Sequence, residues 1–449
     1  MTKELTSGHP LKIIFNFAVP VFFGALFQQF YNLVDTIIVG QLLGVSALAA
    51  VGATGSLNFM ILGFCMGLCS GFAIPVAQKF GGEDYSTMRQ FIWVGYILIM
   101  IFSVILTIPS VFFCKTLLKL LKTPSDILEL SSSYFEIILA GIPVVLFYNI
   151  LSGNIRSVGD SKTPLYFLIF SALLNIILDI LFIAVFEWNV QGAAWATVLS
   201  QGIAAVLCFI YMKKKFEILR IKKEDKVFNS KRIKILLGIG LPMGLQYSIT
   251  AIGSVILQWS VNILGSVCVA AMTCAQKILM FFSTPFDALG TTMATYGGQN
   301  VGAQKTERLN SGLFWATVIG VIYSIIGFMI LYFGGDIFVK LFMNPDENPA
   351  VFIDVNQNAK YCLIASGMFF ILLALVNIVR FLIQGMGFSK IAVLAGVFEL
   401  VGRAVIGFFL VPIFGFKAAC FASPLAWVLA DIFLIPAYFW CRNKLVKGK

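Results

Sequence analysis
The chain has 449 residues, 59% of them hydrophobic and only 12% charged, with a mean hydropathy of +0.93. Soluble domains carry about 25% charged residues, so a water-soluble globule is excluded. The formal net charge is +11. Its basic residues sit in short connectors between apolar runs, which reads as orienting charge at a membrane and excludes a nucleic-acid surface. Nine cysteines, mostly inside apolar runs (Cys65, Cys69, Cys208, Cys362), form no CxxC or Cys/His cluster. Neither a disulfide framework nor a structural metal site is expected. His9, the single histidine, precedes the first apolar run and reads as a solvated terminal residue. That run is too long and too polar for a cleavable signal peptide.

Twelve apolar segments follow in chain order, at 13–36, 46–74, 90–112, 132–154, 164–186, 192–212, 236–262, 268–295, 312–333, 360–383, 390–412 and 418–440. Each is long enough to cross a hydrocarbon core of about 30 Å. Backbone polar groups in lipid must be satisfied internally, so the segments are predicted to be helices. The expected fold is an all-α integral membrane protein. The connectors orient it. Residues 213–234 hold ten Lys/Arg against three acids. Lys79, Arg89, Arg156, Lys162, Lys305, Arg308, Lys390, Arg442 and Lys444 fall on the same side. Opposite connectors are poorer or mixed, with Glu187, Asp336, Asp346, Glu347 and Asp354, and with Lys115, Lys119 and Lys122 as a mild exception. The excess of basic residues puts both termini and the 213–234 connector in the cytoplasm.

The sequence also repeats itself. Pro20 matches Pro242, Leu43-Gly44 matches Leu264-Gly265, Gln78-x-x-Gly81 matches Gln299-x-x-Gly302, and Gly159-Asp160-Ser161-Lys162 matches Gly387-Phe388-Ser389-Lys390. The order is kept. Two lobes of six helices are expected, at 1–212 and 236–449, joined by a basic linker at 213–235. An even number of spans per half makes them parallel repeats about an axis along the membrane normal. Such symmetry suits a site opened to each side in turn.

Ionisable groups inside spans are costly and mark function by default. In the first span Gln28, Tyr31, Asn32 and Asp35 fall at i, i+3, i+4 and i+7, one helix face. Pro20 lies upstream and can bend the helix. In the fifth span Asn175 and Asp179 share a face, and Thr163-Pro164 is predicted to start that helix as N-cap and N1. Asn154 ends the fourth span. Thr197 lies beside the small-residue run Gly192–Ala196 in the sixth. If these helices share a lobe, Asp35, Asn175, Asp179 and Thr197 converge into a set of hard oxygen donors. Two close carboxylates in a dry site repel, so the set suits a proton, Na⁺, or either in competition. The alternative is a polar stripe or a single carboxylate that only packs helices together. In the second half Arg403 stands at the match to Asn175 and Gly407 at the match to Asp179. Glu399 and Arg403, at i and i+4, are expected to pair. Lys277, Asp287, Arg380 and Asp431 are further candidates, with Lys277 and Arg380 also able to snorkel to the interface. The second lobe therefore reads as the more basic one. The 44 Phe and 14 Met give weak support for a greasy, polyspecific cavity.

The doubled six-span halves, the proline-containing first helix with Asp35, and Asn175-x-x-x-Asp179 resemble the multidrug and toxic compound extrusion (MATE) family over essentially the whole chain. The most specific pieces are Gln41–Ala50 (QLLGVSALAA), the connectors Gln78–Gly82 and Gly298–Gly302, and Gly159-Asp160-Ser161-Lys162-Thr163-Pro164. The resemblance implies a bacterial plasma-membrane antiporter, not an enzyme. It would export drugs or toxic organic compounds against inward H⁺ or Na⁺, with no cofactor. Small organic molecules and membrane lipid are the expected partners, and a functional monomer is expected. Family members with an N-lobe cation site place its residues where Asp35, Asn175, Asp179 and Thr197 stand. Pro20, Tyr31 and Asn154 match positions associated with bending of the first helix. Members that bind Na⁺ through acids of the seventh and tenth helices differ, because 246–258 and 372–380 carry no acid here. A lipid-linked oligosaccharide flippase of the same broad superfamily is the alternative reading, kept open by Arg380 and Arg403.

Overall fold
The computed structural model describes residues 4–121, 123–341 and 349–447; Lys122, Asp346 and Glu347 lie outside them. Ten single helices are long and apolar enough to cross a membrane, and two bent helix pairs bring the spans to twelve. The first three spans are Pro10–Leu43, Gly55–Gly81 and Tyr85–Phe112. The fourth is bent by 43° between Leu128–Ala140 and Ile142–Ser157. The fifth to ninth are Lys162–Val185, Asn189–Lys215, Ser230–Asn262, Ser266–Gly302 and Glu307–Lys340. The tenth is bent by 51° between Val351–Met368 and Phe370–Gly385, and the last two are Ser389–Phe414 and Ala422–Lys447. Two expectations are corrected locally. The apolar run 46–74 is two helices, because the chain breaks after Val45–Ala53 at Thr54, whose hydroxyl caps the Val51 carbonyl at 2.8 Å. The fifth span is not capped by Thr163. Asp160 accepts from the backbone N–H of Lys162 (2.9 Å) and Thr163 (3.0 Å), and Thr163 itself donates its hydroxyl to Asp160. An ionised carboxylate offers about four acceptor positions where a hydroxyl offers two.

The repeat is written in the backbone. Gly44 and Gly265, and likewise Gly159 and Gly387, hold matching left-handed turns at φ between 84° and 95°. The bends of the fourth and tenth spans fall at matching places, Gly141 and Phe369. Wide π-type turns end the helical part of the fifth span at Ile180–Val185 and interrupt the eleventh at Ile406–Leu410.

Two compact units result, each a six-span core. One is built chiefly from Val19–Tyr247, the other from Thr6–Ala18 with Ser248–Lys449. The divisions fall inside the first and seventh spans, near Pro20 and Pro242. In the first unit the seventh span's leading part packs backbone to backbone on the second span. A Cβ at Gly67 would lie 2.5 Å from the Met243 carbonyl oxygen, and one at Gly71 would lie 2.5 Å from the Gly240 Cα. Gly67-x-x-x-Gly71 thus meets Gly240-x-x-x-Gly244, a spacing that brings helices close in lipid. The basic connector belongs to the same unit. Asp225 is fully buried, takes Arg89 at 2.6 Å and caps the Lys222 N–H at 2.9 Å, and Lys226 lies over the Trp93 ring. In the second unit Lys305 and Arg308 hold the backbone of Thr6 and Gly8, and exposed His9 stands against Trp315.

Candidate functional site
Helical spacing brings the site together in the first unit. Tyr31 and Asp35 lie one turn apart on the first span, and both are buried. Asn175 and Asp179 lie one turn apart on the fifth, and both are fully buried. The sixth span approaches because Gly192 has no side chain; a Cβ there would lie 3.1–3.2 Å from Phe182, backbone included. That approach sets Thr197 beside Asn175. With its amide oriented to satisfy both neighbours, Asn175 donates Nδ2–H to Asp179 Oδ2 at 2.8 Å and accepts the Thr197 backbone N–H at 3.2 Å. The Tyr31 hydroxyl donates to Thr197 Oγ1 at 3.0 Å. The carboxylates of Asp35 and Asp179 are within hydrogen-bonding reach of each other. One oxygen of each, Oδ1, has no hydrogen-bond partner among the described residues.

Asp35, Asn175, Asp179, Thr197 and Tyr31 are therefore one constellation. Tyr134 of the fourth span also faces both carboxylates, and sequence reasoning missed it. It is one aromatic among many, and the polar residue one turn from it is only a serine, Ser131, which does not single it out. The predicted stripe on the first span divides: Gln28 is half-buried, and Asn32 is exposed. Pro20 is buried inside the first helix, fifteen residues and so about 22 Å before Asp35. Asn154 is fully buried elsewhere in the unit, beside the Tyr96 hydroxyl.

The second unit holds a different group. Glu399 is ion-paired to Arg380 and lies 3.6 Å from Arg403. Arg380 is buried rather than snorkelled, and its charge bears on Asp287 and Asp431. Lys277 is exposed on the eighth span, ten residues or about 15 Å from Asp287. Three carboxylates, Asp287, Glu399 and Asp431, stand here with two guanidiniums, where the first unit's site has no cation among the described residues. No group of three or more His, Cys, Asp or Glu able to hold a metal is found among the described residues.

The MatE family model matches residues 20–181 and 242–409, one stretch in each half. Among characterised relatives, the probable multidrug resistance protein YpnP of Bacillus subtilis is 32% identical over 310 residues, 68% of each chain. The multidrug export protein MepA of Staphylococcus aureus is 24% identical over 60% of each. Two solved structures share the fold. A MATE protein in complex with MaL6 has a TM-score of 0.92 at 23% identity over the full length of both chains. An outward-facing multidrug resistance MATE transporter of the MOP superfamily has 0.89 at 23% identity, covering 99% and 98%. Doubled family matches on doubled spans settle the assignment: this chain belongs to the MatE family of multi-pass membrane proteins.

Proposed function
We propose that this protein exports toxic organic compounds across the plasma membrane in exchange for protons, and that Asp35 and Asp179 together bind the coupling proton. The observation that carries the reading is the contact between these two carboxylates. They are buried in one dry pocket, and among the described residues neither has an ion-pair partner. Two such groups cannot both carry charge cheaply. A proton shared between them removes the repulsion, and its departure restores it. The relatives' names, a multidrug resistance protein and a multidrug export protein, supply the substrate class.

The donor set favours H⁺ over Na⁺. Asn175 turns its N–H toward Asp179 and its oxygen toward the Thr197 backbone, so the amide offers no oxygen to a metal cation. Na⁺ binding would require that amide to rotate and the Tyr31–Thr197 bond to open. In the transport cycle a proton arrives from outside, neutralises the pair and lets the first and fifth spans close together. Its release to the cytoplasm reopens them for the next substrate. A proton drives this only through different affinities in the two states, and substrate and proton then oppose each other reciprocally. Both termini and the 213–235 connector face the cytoplasm in this scheme.

The test is dye efflux and drug tolerance in a host stripped of its own pumps. The protein is expected to confer efflux that an uncoupler abolishes and Na⁺ withdrawal leaves intact. Asp35→Asn and Asp179→Asn are each expected to lose it. Efflux undiminished in both variants rejects the coupling role, and efflux that follows Na⁺ instead of the uncoupler rejects the proton.

A further inference from the structure
The second unit contains a buried acid that the transport scheme above does not use. Asp431 lies near the middle of the twelfth span, is only 4% exposed, and neither of its carboxylate oxygens has a hydrogen-bond partner among the described residues. A packing role does not account for it, since an acid retained for packing is hydrogen-bonded. The charges around it can be counted. Arg380 of the tenth span acts on Asp431 directly. On the eleventh span Glu399 and Arg403 lie within 3.6 Å of each other. Lys417, on the short helix Phe416–Cys420, is directed at the Tyr361 ring. Lys360, on the first half of the tenth span, is bound to Asp336.

The group thus comprises Arg380 and Arg403 against Asp287, Glu399 and Asp431, one negative charge in excess. Glu399 is held between the two guanidiniums, and the side chain of Asp287 lies at an exposed position of the eighth span. Asp431 is the buried carboxylate with no hydrogen-bond partner among the described residues, so the excess falls on it. We propose that Asp431 is a second proton-binding carboxylate of this protein, independent of Asp35 and Asp179, whose proton decides how far Arg380 is drawn from Glu399 toward Asp431. With the proton on Asp431 the group is neutral, and Arg380 rests on Glu399 as observed. When the proton leaves, a buried anion is uncovered beside Arg380, whose guanidinium can compensate it. Nothing else is consumed or released. Proton binding is thereby linked to how the tenth, eleventh and twelfth spans are tied together.

Infrared difference spectra of the purified full chain, recorded across pH in Na⁺-free buffer without drug, test this directly. A protonated buried carboxyl gives a C=O stretching band that disappears as it ionises. Asp431→Asn is expected to remove one such titrating band. Asp431→Glu is expected to keep a band at a displaced frequency, and the Asp35→Asn/Asp179→Asn double variant to leave it untouched. A spectrum of Asp431→Asn identical to that of the parent overturns the proposal. Should the Asn variant not elute as folded protein, the Glu variant decides: an undisplaced band equally overturns it. No transport is measured, so this site and the drug–proton exchange can fail independently.

Discussion
At the first unit's site the charged side chains are of one sign: Asp35 and Asp179 touch, with hydroxyl and amide groups of Tyr31, Thr197, Tyr134 and Asn175 beside them. In the second unit they are of both signs, and Glu399 is gripped by Arg380 with Arg403 alongside. Yet the two regions share a backbone. The fifth and eleventh spans carry π-type turns at matching places. Where the first unit has Asp179, the second has Gly407, and a Cβ at Gly407 would lie 2.6 Å from the Ser260 hydroxyl oxygen. Arg403 replaces Asn175. An acid at 407 would have to displace the Ser260 hydroxyl. Duplication preserved the bends and turns but not the chemistry, and a polar group's role must be argued within its own unit.

The sharpest way to break this comparison is to remove one charge from each side. Arg380→Gln leaves Glu399 with only the longer contact to Arg403. Breaking a buried pair costs about 3–5 kcal/mol, so a steep fall in thermal stability and folded yield is expected. Asp179→Asn removes one of two repelling charges and is expected to leave the melting temperature level or higher while efflux is lost. Equal destabilisation by both substitutions would erase the distinction.

A smaller effect is expected at Asn175. Asn175→Ala withdraws the donor from Asp179 Oδ2, and an unsatisfied buried acceptor costs about 1–3 kcal/mol. Efflux should persist with its pH dependence displaced, as measured by dye efflux at a series of external pH values. An unchanged profile would separate Asn175 from the pair. Tyr31→Phe loses only the hydroxyl that donates to Thr197. Hydrogen bonds between membrane helices average ~0.6 kcal/mol, so efflux should drop by about threefold or less.

The smallest change concerns the connector. Burial raises the Asp225 carboxyl, but hydrogen bonds from Arg89 and the Lys222 N–H outweigh it and hold the group below its ordinary value. A carboxyl held low stabilises the folded state at neutral pH, and that contribution is lost as pH falls through its folded value. Limited proteolysis of 213–235 is expected to be slow at neutral pH, to quicken on acidification, and to be fast at both in Asp225→Asn. Cleavage independent of pH in the parent would show that the connector is not clamped there.

Much of this was legible in the sequence, because span length and apolar composition suffice to place helices in lipid. The pairs Tyr31/Asp35 and Asn175/Asp179 were legible for a similar reason: one turn of helix fixes which residues share a face. What stayed hidden depends on contacts between spans. Tyr134 has no carboxylate or amide one turn away, only the hydroxyl of Ser131. The link from Arg380 to Glu399 crosses nineteen residues and two helices. The break at Thr54 is set by one hydroxyl inside a run that reads as continuous. The packing of the seventh span's leading part in the first unit rests on glycines such as Gly71 and Gly240, which look like ordinary small residues in an apolar stretch.

The central claim is that Asp35 and Asp179 exchange one proton for a change of shape. Purified protein in liposomes, given either a pH gradient or a Na⁺ gradient alone, tests it most directly. The account predicts dye transport driven by the pH gradient without Na⁺, and a loss of at least about tenfold, or ~1.4 kcal/mol of coupling, in Asp35→Asn and Asp179→Asn. Transport driven by the Na⁺ gradient alone, or full pH-driven transport in both variants, would contradict it.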